Sequence, residues 1–429
     1  MRRRLAEAAE LLRTNAPFRR YALARLSSTV GTTVAPLGLS FSVLQLGGGP
    51  GELSVVLMAN LLVFLALTPV AGVIADRVPR LMVIVGCQVA SAVIQGVAAA
   101  LVMTGTATPA LLAGTAVLTG AAGACIQPAS KGLLPQLVES RAMVNANALL
   151  QIASNMIAVV GPVLAGLVIA ASGPGVILAW DGVSFVVSAA VFLTLRLPSS
   201  PRPQQRQRFL ADLTEGWGAF ASRRWLWIIT GLGTLTSGCW AACIEVLGPV
   251  YATQQMNGAV SWGIVSAALG VGLAVGSVAA LLLRPVRVGL VVCVAAVPPG
   301  ALLAAMAAAA PLALIAVAAV ATGAAGTMKL ITWSSFLQAG VIPEAQLSRV
   351  LALNAMMGAL LVPVAYAMVG PVAEAVGVRP VLWACAILVI GGAVAAACVG
   401  EVRRLTAAEG EVRAERSSSA ALTDGGEAI

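Results

Sequence analysis

Gly72-Val73-Ile74-Ala75-Asp76-Arg77-Val78-Pro79-Arg80 stands between two apolar runs, Leu53 to Ile74 and Leu81 to Met103. Each run is long enough to cross a bilayer as a helix. Neither contains a charged residue, whereas the short stretch concentrates one acid and two arginines. An ionised group inside a bilayer is costly, so charges gathered between two such runs mark a tight loop at a membrane face. Apolar runs of the same length recur from one end of the chain to the other. The fold class that follows is an all-α integral membrane protein.

Composition points the same way. The 429 residues are 59% hydrophobic and 10% charged, against about a quarter charged in soluble domains. Barrel strands would be short and alternating, and these runs are neither. Histidine is absent, which removes the usual neutral-pH base and the usual metal ligand; no enzyme, metal or cofactor is expected. The net charge of +9 matches both a nucleic-acid binder and a topology signal, and position decides between them. Lys and Arg flank the apolar runs, so no nucleic-acid partner is expected. All seven Cys fall inside apolar runs and read as small packing residues, with no disulfides expected.

Twelve spans are expected, in two six-helix sets. The first set lies at about 21–45, 53–74, 81–103, 108–128, 148–171 and 176–195; the second at about 225–250, 260–283, 288–309, 311–335, 351–373 and 380–399. The domain plan is a basic N-terminal segment (1–20), a first bundle (21–195), a linker (196–224), a second bundle (225–399) and a tail (400–429). Residues 2–20 place Leu5, Ala8, Ala9 and Leu12 on one helical face, fit to lie on an anionic leaflet. A signal peptide does not fit, because the apolar run starts late and is too long. In the linker, Pro198, Pro201 and Pro203 break any helix, and Phe209, Leu210, Leu213, Trp217 and Phe220 then recur at helical spacing. The polar tail is expected to be disordered. With the N-terminus inside, 24 of the 26 Lys and Arg are cytoplasmic, so the positive-inside rule puts both termini in the cytoplasm. Arginine far outnumbers lysine, as in GC-rich coding DNA, which points to the plasma membrane of a bacterium. The halves repeat weakly: residues 69–80 align without gaps on 276–287, and Asn147-Ala148-Leu149 stands 207 residues before Asn354-Ala355-Met356.

The opening stretch resembles the signature loop of the major facilitator superfamily, Gly-x-Leu-Ala-Asp-Arg-x-Gly-Arg-Lys. Gly72, Ala75, Asp76, Arg77 and Arg80 match it; Pro79 and Leu81 depart from it. Val160-Gly161-Pro162-Val163-Leu164-Ala165-Gly166 in the fifth span is similar to the Gly-Pro-x-x-Gly-Gly motif of superfamily exporters, with Ala165 replacing one Gly. A narrower resemblance, to a branch that includes macrolide-efflux and enterobactin-export proteins, rests on four further stretches. They are Asn15-Ala16-Pro17-Phe18-Arg19, Gln127-Pro128-Ala129-Ser130-Lys131 with Leu134-Pro135, Asn145-Ala146-Asn147, and Asp181-Gly182-Val183-Ser184-Phe185. Many relatives carry Asp where this chain has Thr32, and Asn where it has Asp181; the Arg that many proton antiporters carry in the fourth span is missing. The resemblance implies two parallel six-helix pseudo-repeats, with spans 1, 4, 7 and 10 lining a central cavity. It also implies a conformational latch at Gly72, Asp76, Arg77 and Arg80, with Asp76 docking on the eleventh span near Ser348 to Leu351.

Each ionisable residue within a span is a functional candidate: Asp181, Glu245 and Lys329. Glu245 ranks first for proton coupling. It is an acid well inside the seventh span, its own helix carries no cation, and a carboxyl taken out of water favours its neutral form. Asp181, near the outer end of its span, ranks second. Lys329 lies more than about 10 Å from Glu245 by helical rise, too far for direct pairing, and its ammonium can snorkel inward. Trp240 and Trp333, deeper than the other Trp, join Met328, Lys329 and Thr32 as substrate-cavity candidates, although core packing also accounts for either Trp. Trp180, Trp225, Trp227, Trp262 and Trp383 read as interfacial anchors.

The expected function is secondary active export of an amphipathic small molecule, such as a drug, an antibiotic or a siderophore-like product, in exchange for protons. Its partners are the substrate, protons and the lipid bilayer, and the chain is expected to be a monomer. An importer would call for a polar, charge-rich cavity, whereas the candidate lining is mostly Ser, Thr and apolar residues. A membrane sensor or scaffold would call for a large soluble domain.

Overall fold

The computed structural model describes residues 11–139, 142–195, 218, 220–221, 223–283, 287–342 and 344–406. Every regular element among them is helical, because a lipid-embedded backbone must satisfy its own hydrogen bonds. The long helices are α1 (Ala16–Gln45), α2 (Pro50–Arg77), α3 (Arg80–Met103), α4 (Pro109–Leu133), α5 (Met143–Ser172) and α6 (Pro174–Leu193). There follow α7 (Arg224–Gln255), α8 (Gly258–Leu283), α9 (Val288–Ala307), α10 (Leu312–Phe336), α11 (Glu344–Val376) and α12 (Val378–Cys398). Eleven helices among the described residues are long and apolar enough to span a bilayer. The twelfth, α1, has 30 residues and mixes Arg, Ser and Thr into its length. The twelve-helix fold class is therefore borne out.

Several boundaries differ from expectation for local reasons. The opening stretch is mostly helix: α2 runs to Arg77 and α3 starts at Arg80, leaving only Val78 and Pro79 between them. The side chains of residues 72–77 lie outside the described residues. α1 starts at Ala16 because the Asn15 side chain accepts from the Phe18 N–H and caps it. α9 is interrupted at Ala295–Ala296, just before Pro298 and Pro299. α11 begins at Glu344 and is broken at Leu360. The tail starts as structure, not disorder: Gly400–Arg404 is helical, Val402 and Leu405 are buried, and the Gly289 N–H donates to the Leu405 carbonyl at 3.4 Å. Residues 407–429, residues 1–10 and the linker motif at 209–217 lie outside the described residues.

The chain forms two compact units. The first takes the described residues within Met1–Pro203, Val246–Ala267 and Tyr366–Ala375. In it α1 packs on α5 and α6, α2 on α4, and α3 on α4 and α6. One end of the unit is built on Phe18, Tyr21, Ile84, Leu133 and Phe192. The second takes those within Gln204–Glu245, Ala268–Ala365 and Val376–Ile429. Its core gathers Leu226, Trp333, Phe336, Val389 and Val402. Leu164, Val183, Val317 and Ile387 point outward and stay exposed, as lipid-facing side chains must. Two one-residue connections echo each other. Gly173 (φ 85°) joins α5 to α6 and Gly377 (φ 89°) joins α11 to α12, at φ values that favour glycine.

Candidate functional site

In the first unit, Asp181 on α6 is 1% exposed. Gln95 of α3 donates from Nε2 to Asp181 Oδ2 at 2.7 Å. Ser184 donates to the Asp181 carbonyl at 2.7 Å and lies 3.5 Å from Oδ1. Glycine makes room on both sides. A Cβ on Gly31 of α1 would collide with the Asp181 carboxylate and the Ser184 hydroxyl, and Gly182 sits against the α3 backbone at Ala92 and Gly96. The Asp181 to Phe185 stretch is thus where α1, α3 and α6 lock together. Gln95 and Gly31 were not singled out in the sequence. For Gln95 the signal is in the chain all the same: a polar amide in an uncharged apolar run needs a buried partner.

In the second unit, a cavity of about 470 Å³ opens between α7, α8, α9 and α10. Its walls include Thr236, Trp240, Glu245, Leu273, Thr322 and Lys329. Glu245 lies in a π-helical turn, Ala241–Val246, inserted into α7. Such turns recur at functional sites because they re-aim side chains. Here Ala242, Cys243, Ile244 and Val246 are buried while Glu245 is exposed. This corrects the expectation of a buried carboxyl: the acid sits at a cavity wall. Lys329 faces the same cavity from α10, with Cys293 of α9 close by. Acid, ammonium, hydroxyls and an indole on an otherwise aliphatic wall can hold an amphipathic molecule of a few hundred cubic ångströms.

The remaining candidates separate. Trp240 lines the cavity, but Trp333 is buried in an aromatic core cluster, with ring centroids 6.0 Å from Phe336 and 5.9 Å from Trp225. Met328 is half-buried on α10 and does not line the cavity. Thr32, in the first unit, is exposed and donates to the Ser28 carbonyl at 3.0 Å. Trp180 and Trp383 are exposed as interfacial anchors would be, whereas Trp262 is buried against Gly248 and Trp225 and Trp227 pack on aromatic neighbours. Gly161 on α5 faces Val34 of α1, and Gly166 meets the α8 backbone at Ala259. Gly263 of α8 returns the contact over the Pro162 carbonyl, so this motif serves close helix packing. Two of the other motifs tie helix ends: Asn15 Nδ2 donates to the Leu137 carbonyl at 2.9 Å, and the Tyr21 hydroxyl to the Ser130 carbonyl at 3.4 Å. Of the latch residues, Arg80 is half-buried; the side chains of Gly72, Asp76 and Arg77 lie outside the described residues. The seven cysteines are free thiols.

Long apolar helices throughout the described residues, with a largely aliphatic cavity among those of the second unit, define a multi-pass membrane protein. The chain belongs to the Major Facilitator Superfamily, whose family model matches residues 21–366. Among solved structures, the nucleoside transporter NupG is similar with a TM-score of 0.68 at 17% identity, over 89% of this chain and 98% of that one. A bacterial homologue of the iron transporter ferroportin, in its inward-facing state, gives 0.66 at 19% identity over 90% and 99%. A bacterial homologue of the human lysosomal transporter Spinster gives 0.62 at 13% identity over 90% and 95%. These identities bear on the fold alone. None of the curated proteins matches the sequence.

Proposed function

We propose that this chain exports an amphipathic small molecule, such as a drug, an antibiotic or a siderophore-like product, by alternating access in exchange for protons. In this reading it is a monomer in a bacterial plasma membrane, with both termini in the cytoplasm. The observation that supports it is the cavity of about 470 Å³, whose largely aliphatic wall includes both Glu245 and Trp240. A carboxylate exposed in such a cavity binds either a proton or a cationic group of the cargo, and that competition couples the two flows. Glu245 is the first candidate for this role and Asp181 the second. The Gly161-Pro162 and Gly166 contacts supply the close helix packing found in superfamily exporters, and Gly72, Asp76, Arg77 and Arg80 stand as the latch.

The test is efflux of ethidium, as an amphipathic cation, from cells lacking their own drug pumps, followed by ethidium-driven proton movement in proteoliposomes. Export predicts lower accumulation than in empty-vector cells, abolished by Glu245→Gln, with proton counterflow lost in the same variant. Faster ethidium uptake would make the protein an importer. Normal coupling in Glu245→Gln with loss in Asp181→Asn would move the coupling site to α6.

A further inference from the structure

The bond between Gln95 and Asp181 is one rung of a longer polar seam. On α3, Gln88, Ser91 and Gln95 stand at i, i+3 and i+7; on α6, Asp181, Ser184 and Ser188 stand at the same spacing. All six side chains are buried. Equal spacing on two helices puts each set in one stripe, and the helices run antiparallel. Gly175 of α6 meets Val102 and Met103 of α3, whereas Gly182 meets Ala92 and Gly96. Continuing that register from the Gln95–Asp181 rung places Ser184 level with Ser91, and Ser188 level with Gln88. The three rungs extend about 10 Å along the helices.

The far rung carries the decisive detail. Gln88 is 3% exposed and Ser188 is 0% exposed, yet Gln88 Oε1 and Ser188 Oγ have no hydrogen-bond partner. They are the unpartnered buried side-chain atoms among the described residues. Leaving such atoms unpaired forfeits the hydration each lost on burial. Buried groups of this kind are normally satisfied by internal water. The seam is closed one turn further on by Ile84 and Phe192, both buried. On its α1 side, Gly31 lies against Asp181 and Ser184, and Gly38 against Ile177 and Leu178. That register brings the half-buried Ser27 and Ser28 level with Ser188.

We propose that the seam between α3 and α6 holds a short file of water molecules, and that Asp181 exchanges its proton with solvent through it. The protonated carboxyl passes its proton to the first water, forming a hydronium and leaving a carboxylate held by Gln95. The charge then moves by successive water-to-water transfer past Ser184 and Ser91 to Gln88 and Ser188, and out at Ser27. Among the described residues, no other titratable group stands on the α3 or α6 stripe of the seam. Beyond its terminal Arg80, α3 carries Cys87, which is paired with Cys125. On α1 the Arg residues bond elsewhere: Arg19 to the Leu12 carbonyl, Arg20 to the Thr194 carbonyl and Arg25 to the Tyr21 hydroxyl. The use of this proton in transport rests on the antiport reading above; the water file itself does not.

Infrared spectroscopy of the purified full-length protein in detergent tests it. The protonated-carboxyl stretch is assigned to Asp181 by its loss in Asp181→Asn, and its hydrogen–deuterium exchange is timed after transfer to heavy water. The expected result is rapid exchange in the native chain, slowed by about tenfold in Gln88→Met and Ser188→Ala, as loss of one water-bridging hydrogen bond implies. Ser188→Ala removes one oxygen atom, so it keeps the test available should Gln88→Met not fold. Equal exchange rates in all three proteins, or no carboxyl band that Asp181→Asn removes, would overturn the proposal. No substrate enters the measurement, so a failure here is distinct from a failure of the export reading.

Discussion

Gln95 and Asp181, 86 residues apart in the chain, are joined by a 2.7 Å hydrogen bond between two buried side chains. The amide donates to the carboxylate on one side, and Gly31 supplies the space on the other. The pair holds α3 and α6 in a register that aligns every polar residue along the seam.

Removing the donor is therefore worse than replacing the acid by its amide. Gln95→Leu leaves the Asp181 carboxyl buried without its partner and should cost about 1–3 kcal/mol. Asp181→Asn keeps an acceptor oxygen and should cost less than about 1 kcal/mol. Thermal unfolding midpoints in one detergent check the order; equal midpoints for the two variants would break it.

Gly31 is expected to tolerate no side chain. A Cβ there meets the Asp181 carboxylate, the Asp181 backbone and the Ser184 hydroxyl, whereas one on Gly86 of α3 meets nothing within 4 Å. Gly31→Val should destabilise by about 3 kcal/mol or more through overpacking, and Gly86→Ala should be neutral. Monodisperse yield on size exclusion reads the contrast, which disappears if both variants behave like the native chain.

Trp240 and Trp333 should part company. Trp333→Ala opens a hole in the cluster with Phe336 and Trp225 and should cost about 3–5 kcal/mol of stability. Trp240→Ala trims a cavity wall, so it should leave the unfolding midpoint nearly unchanged while weakening ethidium efflux. A variant set in which Trp240→Ala unfolds early and Trp333→Ala does not would reverse the assignment.

The latch is open to a labelling experiment. If Asp76 holds the cytoplasmic ends of α2 and α11 together, Asp76→Asn raises the labelling rate of a cysteine engineered on the cytoplasmic side, at equal expression. The direction follows from the latch role that the superfamily resemblance implies for Asp76: a neutral side chain there would hold the closed state less firmly. An unchanged rate would leave Asp76 without that role.

Some of this was legible in the chain because it is local. Run length against bilayer thickness yields the helix count, and a signature confined to residues 72–80 points to the family; neither depends on what packs where. Asp181 and Glu245 also stood out unaided, since an acid in an uncharged run is visible at once. Tertiary structure decided where each acid lies. Glu245 and Asp181 look alike as carboxyls within spans, yet a π-helical turn exposes the first at a cavity wall while α1 and α3 enclose the second. Trp240 and Trp333 were both cavity candidates by sequence, and only helix packing sends one to a cavity and the other to a core. Gln88 pairs by level with Ser188, 100 residues further on, through an antiparallel register that no local spacing encodes. The physical reason is common to all three cases. A helix's existence depends on its own residues, whereas the partner of each side chain depends on which other helix lies beside it and in what register.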